Sequence, residues 1–132
     1  MTAIDTNALV RFLVADHPKQ AAAAKALFAS GKVWIAKTVL LKTAWVLRAT
    51  YGFEEPAIRD AFVKLIGLRN VEAEDSRAVQ AALALVSQGL EFADALHLQS
   101  QQPGLPFATF DRTFARRASR AGVESILELP KA

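Results

Sequence analysis

Residues 2–14 read TAIDTNALVRFLV and pass from a short apolar run into an apolar helix pattern. The run ends at the acid Asp5, and Thr6 and Asn7 then supply polar side chains of the kind that cap the start of a helix. The segment therefore predicts a β-strand that turns directly into a helix. Such turns are the building units of parallel α/β folds, so this stretch sets the fold class for the rest of the chain.

The same alternation continues to the end of the sequence. Short β-prone runs occur at residues 33–36, 70–74, 107–110 and 123–129. Helical patterns occupy residues 18–30, 38–51, 54–66, 75–88 and 92–101, and a basic helix follows residue 111. Alternating strands and helices predict a three-layer α/β/α sandwich with a mostly parallel sheet. A length of 132 residues suits one domain, spanning residues 1–132.

Both tryptophans lie in apolar surroundings. The pattern at residues 38–51, which contains Trp45, is apolar on nearly every face and predicts a buried helix. Trp34 lies in the β-prone run before it. Stacking on nucleic-acid bases is one role for a tryptophan, but the apolar neighbours favour core packing for both.

Composition excludes several kinds of site. The sequence contains no cysteine, which rules out disulfides, cysteine-based zinc sites and thiol nucleophiles and fits a reducing compartment. No apolar stretch approaches the roughly 18 residues that a membrane span needs. A net charge of +3 is compatible with a polyanionic partner without requiring one. We therefore expect a cytoplasmic protein with no membrane association.

Three aspartates are expected to meet at one edge of the sheet. Asp5 ends the first strand, Asp111 follows the strand at residues 107–110, and Asp94 lies in the first turn of a helix. Sites in parallel sheets form beyond the carboxyl ends of the strands. Clustered carboxylates in apolar settings repel one another, and a divalent cation such as Mg²⁺ or Mn²⁺ reverses that balance. Metal-assisted hydrolysis of a nucleic-acid backbone is the chemistry expected of such a cluster, although any single aspartate after a strand can be merely a helix cap.

Four arginines and no acid lie between residues 112 and 120: Arg112, Arg116, Arg117 and Arg120. On a helix they would present a positive surface to RNA phosphates. A solvated helix face is an equally good explanation of this pattern.

Four segments together resemble the VapC-type PIN-domain toxins. They are IDTN at the amino terminus, then TVLLKTAWVLR, FADALHL and TFDRTFAR, in this order and over nearly the whole chain. The resemblance implies a PIN-like α/β/α fold and Mg²⁺- or Mn²⁺-dependent endoribonuclease activity. It also implies a homodimer that a small cognate antitoxin protein neutralises.

Carried over by position, the resemblance assigns the catalytic, metal-binding role to Asp5, Asp94 and Asp111. Thr109 matches a hydroxyl residue that often supports the site, and Asn7 is a further candidate for a supporting role. The sequence departs from the family at position 42, where a glutamate is usual and this chain has Lys42.

Three explanations of Lys42 are open. The lysine belongs to a relative with altered or lost activity, or it is an acquired change that disables a toxic nuclease, or its side chain simply extends into solvent. If it faces the site, its ammonium could reach the acids and take the position of the cation. Glu91, close to Asp94 in sequence, could supply a replacement oxygen ligand, or it is an exposed loop acid.

Two other functions compete with the nuclease. A non-catalytic PIN module would bind RNA or an antitoxin without cutting. An aspartyl phosphatase or phosphoacceptor domain also has an acid after its first strand. The sequence disfavours this last class, because Asp5 is followed by Thr6 and Asn7 and no second aspartate stands two residues on.

Overall fold

The computed structural model describes residues 1–130. Its strands are β1 (Thr2–Ala3), β2 (Val33–Ile35), β3 (Val71–Ala73), β4 (Phe107–Thr109) and β5 (Ile126–Glu128). Its helices are α1 (Thr6–Val14), α2 (Pro18–Ser30), α3 (Lys37–Ala49), α4 (Glu55–Ile66), α5 (Ser76–Val86), α6 (Phe92–Ser100) and α7 (Arg112–Arg120). Every strand and helix predicted from the sequence is present, with shorter strands than the β-prone runs suggested.

All strand pairs within the described residues are parallel. One sheet has the order β1-β2-β3, with Thr2 opposite Val33 and Trp34 opposite Glu72. A second, two-stranded sheet pairs β4 with β5 and aligns Phe107 with Ile126. The predicted α/β class is confirmed. The strands form two parallel sheets rather than the single sheet expected from the sequence.

The core consists mainly of helix side chains. The rings of Phe62 on α4 and Phe92 on α6 meet edge to face, with their centroids 5.0 Å apart, and both are fully buried. Leu40 and Leu47 on α3 and Val79 on α5 are buried in the same cluster. This packing fixes the start of α6, where Asp94 lies, against α3, α4 and α5.

The prediction that α3 is buried on all faces, with Trp45 in the core, is wrong. The buried residues of α3 are Leu40, Thr43, Ala44 and Leu47, which follow the spacing of one helix face. Trp45 lies off this face and is 66% exposed. Trp34 on β2 is half-buried. The apolar pattern alone did not reveal that only one side of α3 has a neighbour to pack against.

Among residues 1–130, no helix is both long and apolar enough to cross a membrane. The cytoplasmic location stays a prediction. The predicted domain extends to residue 132, so its last two positions lie outside the described residues.

Candidate functional site

Two of the predicted aspartates line one cavity, together with Glu91. This acidic pocket has a volume of about 150 Å³. Asp94 reaches it from the first turn of α6, Glu91 from the residue before that helix, and Asp111 from the start of α7. Arg117 lines the pocket from α7. The sequence predicted that Asp94 and Asp111 lie close together, and both line this pocket.

Asp111 is held by the strand-to-helix turn between β4 and α7. Its Oδ1 accepts a hydrogen bond from the backbone N–H of Phe114 at 2.9 Å, so the carboxylate caps α7. Its own backbone N–H donates to Thr109 Oγ1 at 3.0 Å. The supporting role predicted for Thr109 is therefore a positioning contact with the Asp111 backbone. The side chain of Asp111 is exposed, which differs from the apolar setting expected of it.

Glu91 and the start of α6 are tied to α3 and α4 by an arginine. Arg48 Nη1 lies 3.2 Å from Glu91 Oε1 and 3.3 Å from Glu55 Oε1. Glu55 Oε2 in turn accepts a hydrogen bond from the backbone N–H of Phe92 at 3.3 Å. Burial raises the pKa of Glu55. The hydrogen bond from the Phe92 N–H and the charge of Arg48 lower it, but burial has the larger effect. These contacts orient the first turn of α6, and with it Asp94.

Asp94 is the least compensated carboxylate of the acidic pocket. Its side chain is half-buried, and burial is the largest cause of a raised pKa. Repulsion by Glu91 and Asp111 raises the pKa further, while His97 opposes the shift. Within residues 1–130, no hydrogen bond to its side chain stabilises this charge. A cation that enters the pocket would therefore stabilise the ionised form of Asp94.

Arg117 is the pocket's own cation, and the backbone holds it in place. Its Nη1 donates to the carbonyl oxygen of Gly89 at 3.1 Å. Gly89 has φ +104°, a backbone conformation that favours glycine. Arg117 was predicted to contact RNA from the surface of a basic helix. It lines the acidic pocket and reduces the excess negative charge there, and its contact with RNA stays a prediction.

Asp5 does not line the acidic pocket. Its Oδ1 caps α1 by accepting the Ala8 N–H at 2.9 Å, and its side chain is exposed. Among residues 1–130, no three His, Asp or Glu side chains are arranged to hold one metal ion. The predicted convergence of all three aspartates is thus present for the pair Asp94 and Asp111, and the ligand role of Asp5 stays a prediction.

Lys42 and Asn7 line a different pocket, between α1 and α3. Lys42 is exposed, and it takes part in none of the salt bridges within residues 1–130. The expectation that its ammonium pairs with one of the acids is therefore not met. Lys42 lies off the buried face of α3 and lines the pocket beside α1, whereas Asp94 lines the acidic pocket.

The basic helix divides between two surfaces. Arg112 and Arg116 line a cavity beside β5, where Arg112 lies 3.5 Å from Glu128. Arg117 faces the acidic pocket on the other side, and Arg120 is exposed at the end of α7. The four arginines do not form one continuous positive stripe. Contact of any of them with RNA stays a prediction.

The sequence matches the PIN domain family over residues 2–119. The chain is a member of the PIN domain family. No curated protein is similar enough to match it. Proteins with this domain are generally nucleases, and they typically use divalent metal ions. The strand-end aspartate, the capped turn at Asp111 and the acid at the start of α6 all lie within the matched residues.

The acidic pocket of this PIN domain fits a hard divalent cation in its donor chemistry. Its donors are carboxylate oxygens, and the unstabilised charge of Asp94 is what a divalent cation would neutralise. Asp94 and Asp111 are the two residues that would hold it. A complete ligand set is not assembled around them within the described residues.

Sequence reasoning missed Arg48 and Glu55. Arg48 lies in the last turn of α3 and Glu55 begins α4, and neither lies in a motif that suggests chemistry. Their importance comes from contacts across the fold, to Glu91 and to the Phe92 backbone. The one available signal was the pairing of a cation and an acid at two helix ends joined by a short loop.

Proposed function

We propose that this PIN domain is a metal-dependent endoribonuclease toxin of the VapC type. The observation that carries the proposal is the half-buried Asp94 carboxylate, which shares a pocket with Asp111 and accepts no stabilising hydrogen bond from the part of the chain that the structure describes. Family membership supports nuclease chemistry, and the motif resemblance supports the toxin class. The proposed substrate is the RNA backbone.

In this proposal Asp94 and Asp111 would bind Mg²⁺ or Mn²⁺, and Asp5 is the third carboxylate carried over from the resemblance. A bound divalent cation would lower the pKa of a water molecule and neutralise charge that develops on the phosphodiester. The chain's own residues do the positioning. Thr109 fixes the Asp111 backbone, while the Arg48 bridge orients the first turn of α6.

The partners are also proposals. We infer a homodimer, and the exposed indole of Trp45 supports it, because tryptophan is enriched at protein interfaces. We infer as well a small antitoxin whose basic side chain enters the acidic pocket, because the pocket has three carboxylates against one arginine. A monomer by light scattering at micromolar concentration would contradict the dimer.

An RNA cleavage assay tests the activity. The unaltered protein, Asp94→Asn and the control Asp60→Asn are incubated with RNA in Mn²⁺, in Mg²⁺ and in EDTA. Asp60 is an exposed acid on α4 that pairs with Arg59, away from the acidic pocket. Because Lys42 stands at the position of the usual glutamate, we expect only weak cleavage by the unaltered protein and by Asp60→Asn, solely when metal is present, and none by Asp94→Asn. Cleavage that persists in EDTA would overturn the proposal.

A second candidate is a non-catalytic PIN module that binds RNA or an antitoxin. Two observations favour it: Lys42 at the position of the usual glutamate, and the absence of a three-ligand group within residues 1–130. Titration with Mn²⁺ distinguishes the two functions, because a nuclease binds the ion through Asp94 and a module without a ligand set does not.

A further inference from the structure

A second pocket lies between α1 and α3, and its character is unlike that of the acidic pocket. It has a volume of about 310 Å³. Apart from two valines, its lining is polar and consists of Thr6, Asn7, Arg11, Lys42, Thr50 and Tyr51. It begins at Thr6, the residue that follows Asp5. The pocket therefore adjoins the turn that carries one of the three predicted catalytic carboxylates.

The charge of this pocket is opposite to that of the cavities near Asp94. In the acidic pocket three carboxylates face one arginine, and in the larger cavity beside it three glutamates face two arginines. The pocket between α1 and α3 has two cations and no carboxylate in its lining. Of these three cavities within residues 1–130, it is the one whose lining favours an anion.

Arg11 forms a fixed wall of the pocket. Its Nε donates to Gln20 Oε1 at 2.7 Å, and its Nη1 donates to Asp16 Oδ1 at 3.2 Å and to the Tyr51 hydroxyl at 3.1 Å. The Tyr51 hydroxyl in turn donates to Asp16 Oδ2 at 2.9 Å. Asp16 therefore neutralises much of the arginine's charge from outside the lining. The network fixes Arg11 in the wall of the pocket, and Lys42 supplies most of the pocket's net positive charge.

Lys42 is the uncompensated cation. No carboxylate within residues 1–130 lies within 4 Å of its ammonium group. Asn7 and Thr6 offer hydrogen-bond donors from the facing helix, and Thr50, the residue after α3, offers a hydroxyl group. A flexible ammonium beside neutral donors suits a tetrahedral anion that stays partly solvated, such as a phosphodiester.

We propose that this pocket binds a phosphate group of the RNA backbone, with Lys42 as the principal charged contact. The inference rests on the proposed function for the identity of the polyanion. It gives Lys42 a role that is separate from the metal ligand usual at its position: it would anchor the substrate rather than hold the ion. Binding through this contact does not require a metal.

The test measures binding of a fluorescein-labelled single-stranded RNA by anisotropy in EDTA, so that no cleavage occurs. The variants are Lys42→Gln, which removes the charge, and Lys42→Arg, which keeps it. The matched control is Lys25→Gln, because Lys25 is also an exposed lysine in the middle of a helix, on α2. Thermal unfolding verifies that all variants are folded. Cleavage in Mn²⁺ is measured in parallel on the same RNA.

We expect Lys42→Gln to weaken RNA binding about threefold near physiological salt, for all RNA sequences alike. The slope of log affinity against log salt should fall in magnitude by about 0.7, the value for one contact to a single-stranded phosphate. Lys42→Arg and Lys25→Gln should keep both the affinity and the slope of the unaltered protein.

Equal affinity and equal slope for Lys42→Gln and the unaltered protein would overturn the inference. If the unaltered protein nevertheless cleaves RNA in Mn²⁺, the proposed function stands and only the phosphate contact fails. If the protein does not cleave RNA but Lys42→Gln weakens binding as expected, the contact stands and the nuclease proposal fails. The absence of any RNA binding by the unaltered protein would overturn both.

Discussion

Asp94→Asn is predicted to make the protein more stable while it abolishes metal-dependent activity. In the unaltered protein the Asp94 carboxylate is half-buried, is repelled by Glu91 and Asp111, and accepts no stabilising hydrogen bond from any of the described residues. An asparagine has nearly the same shape without the charge. Because the pKa of Asp94 is raised in the folded state, its ionised form destabilises the fold, and removing the charge removes that penalty.

The size of the effect follows from opposing contributions. Each like-charged, partly exposed neighbour costs roughly 0.2–0.5 kcal/mol after solvent screening, and partial burial of the carboxylate adds a comparable amount. The position of Asp94 in the first turn of α6 offsets about 0.3–1 kcal/mol through the helix dipole. We therefore expect a net gain of about 0.5 kcal/mol, or about 2 °C in Tm.

The assay is thermal unfolding of the unaltered protein, Asp94→Asn and Asp60→Asn, without metal and over a range of pH. A raised folded-state pKa means that the penalty is absent at pH values below the ordinary pKa of 3.8. It develops as the pH rises through the raised value, and it is complete above that. The stability advantage of Asp94→Asn should therefore grow with pH and then level off. Asp60→Asn should stay within about 0.5 kcal/mol of the unaltered protein.

In saturating Mn²⁺ the unaltered protein should become more stable than Asp94→Asn, because the ion stabilises only the protein that retains the Asp94 carboxylate. An Asp94→Asn variant that is less stable than the unaltered protein at neutral pH without metal would refute the reasoning. It would show that contacts within the protein already stabilise the Asp94 carboxylate, so that it does not need a cation.

The remaining predictions concern positions 42 and 111. The pocket that Lys42 lines adjoins the turn of Asp5, the third proposed ligand, and the resemblance expects a glutamate at position 42, so Lys42→Glu should raise Mn²⁺-dependent RNA cleavage by about tenfold or more. Lys42→Ala should raise it less, because alanine supplies no oxygen ligand. Since Lys42→Glu also loses the proposed phosphate contact, the gain should come in kcat. Strong EDTA-sensitive cleavage by the unaltered protein that Lys42→Glu leaves unchanged would put position 42 outside the catalytic site. Asp111→Ala should lower the free energy of unfolding by about 1 kcal/mol, because it removes the cap on the Phe114 N–H, whereas Asp111→Asn should retain most of that stability in a thermal melt.

Much of the fold could be predicted from local sequence. The turn at Asp5 and the turn at Asp111 are both strand ends followed by helix caps, and the structure has both caps. Hydrophobic period and capping chemistry act over a few residues, so they are readable without knowledge of the tertiary contacts. The same local logic brought Asp94 to the start of a helix and therefore near a strand-end site.

The orientation of α3 about its axis could not be predicted from local sequence. Its sequence is apolar on nearly every side, so periodicity does not indicate which face is buried. Packing of Leu40 and Leu47 into the core decides the rotation of the helix, and that rotation exposes Trp45 and turns Lys42 toward α1. A rotation about a helix axis depends on what surrounds the helix, which a local pattern does not contain.

By itself, the sequence determined the alternation of strands and helices, the aspartates at the turns and the membership of Asp94 and Asp111 in one site, because these features follow from backbone geometry over short spans. Only the tertiary structure decided that Arg48 bridges Glu55 and Glu91, that Arg117 enters the acidic pocket, and that Lys42 lies in a separate cationic one. Ion pairs and pocket linings join side chains that are distant in sequence. The packing of the helices decides which charged side chains meet. The residues next to a charged side chain in the sequence do not indicate which partner it will contact.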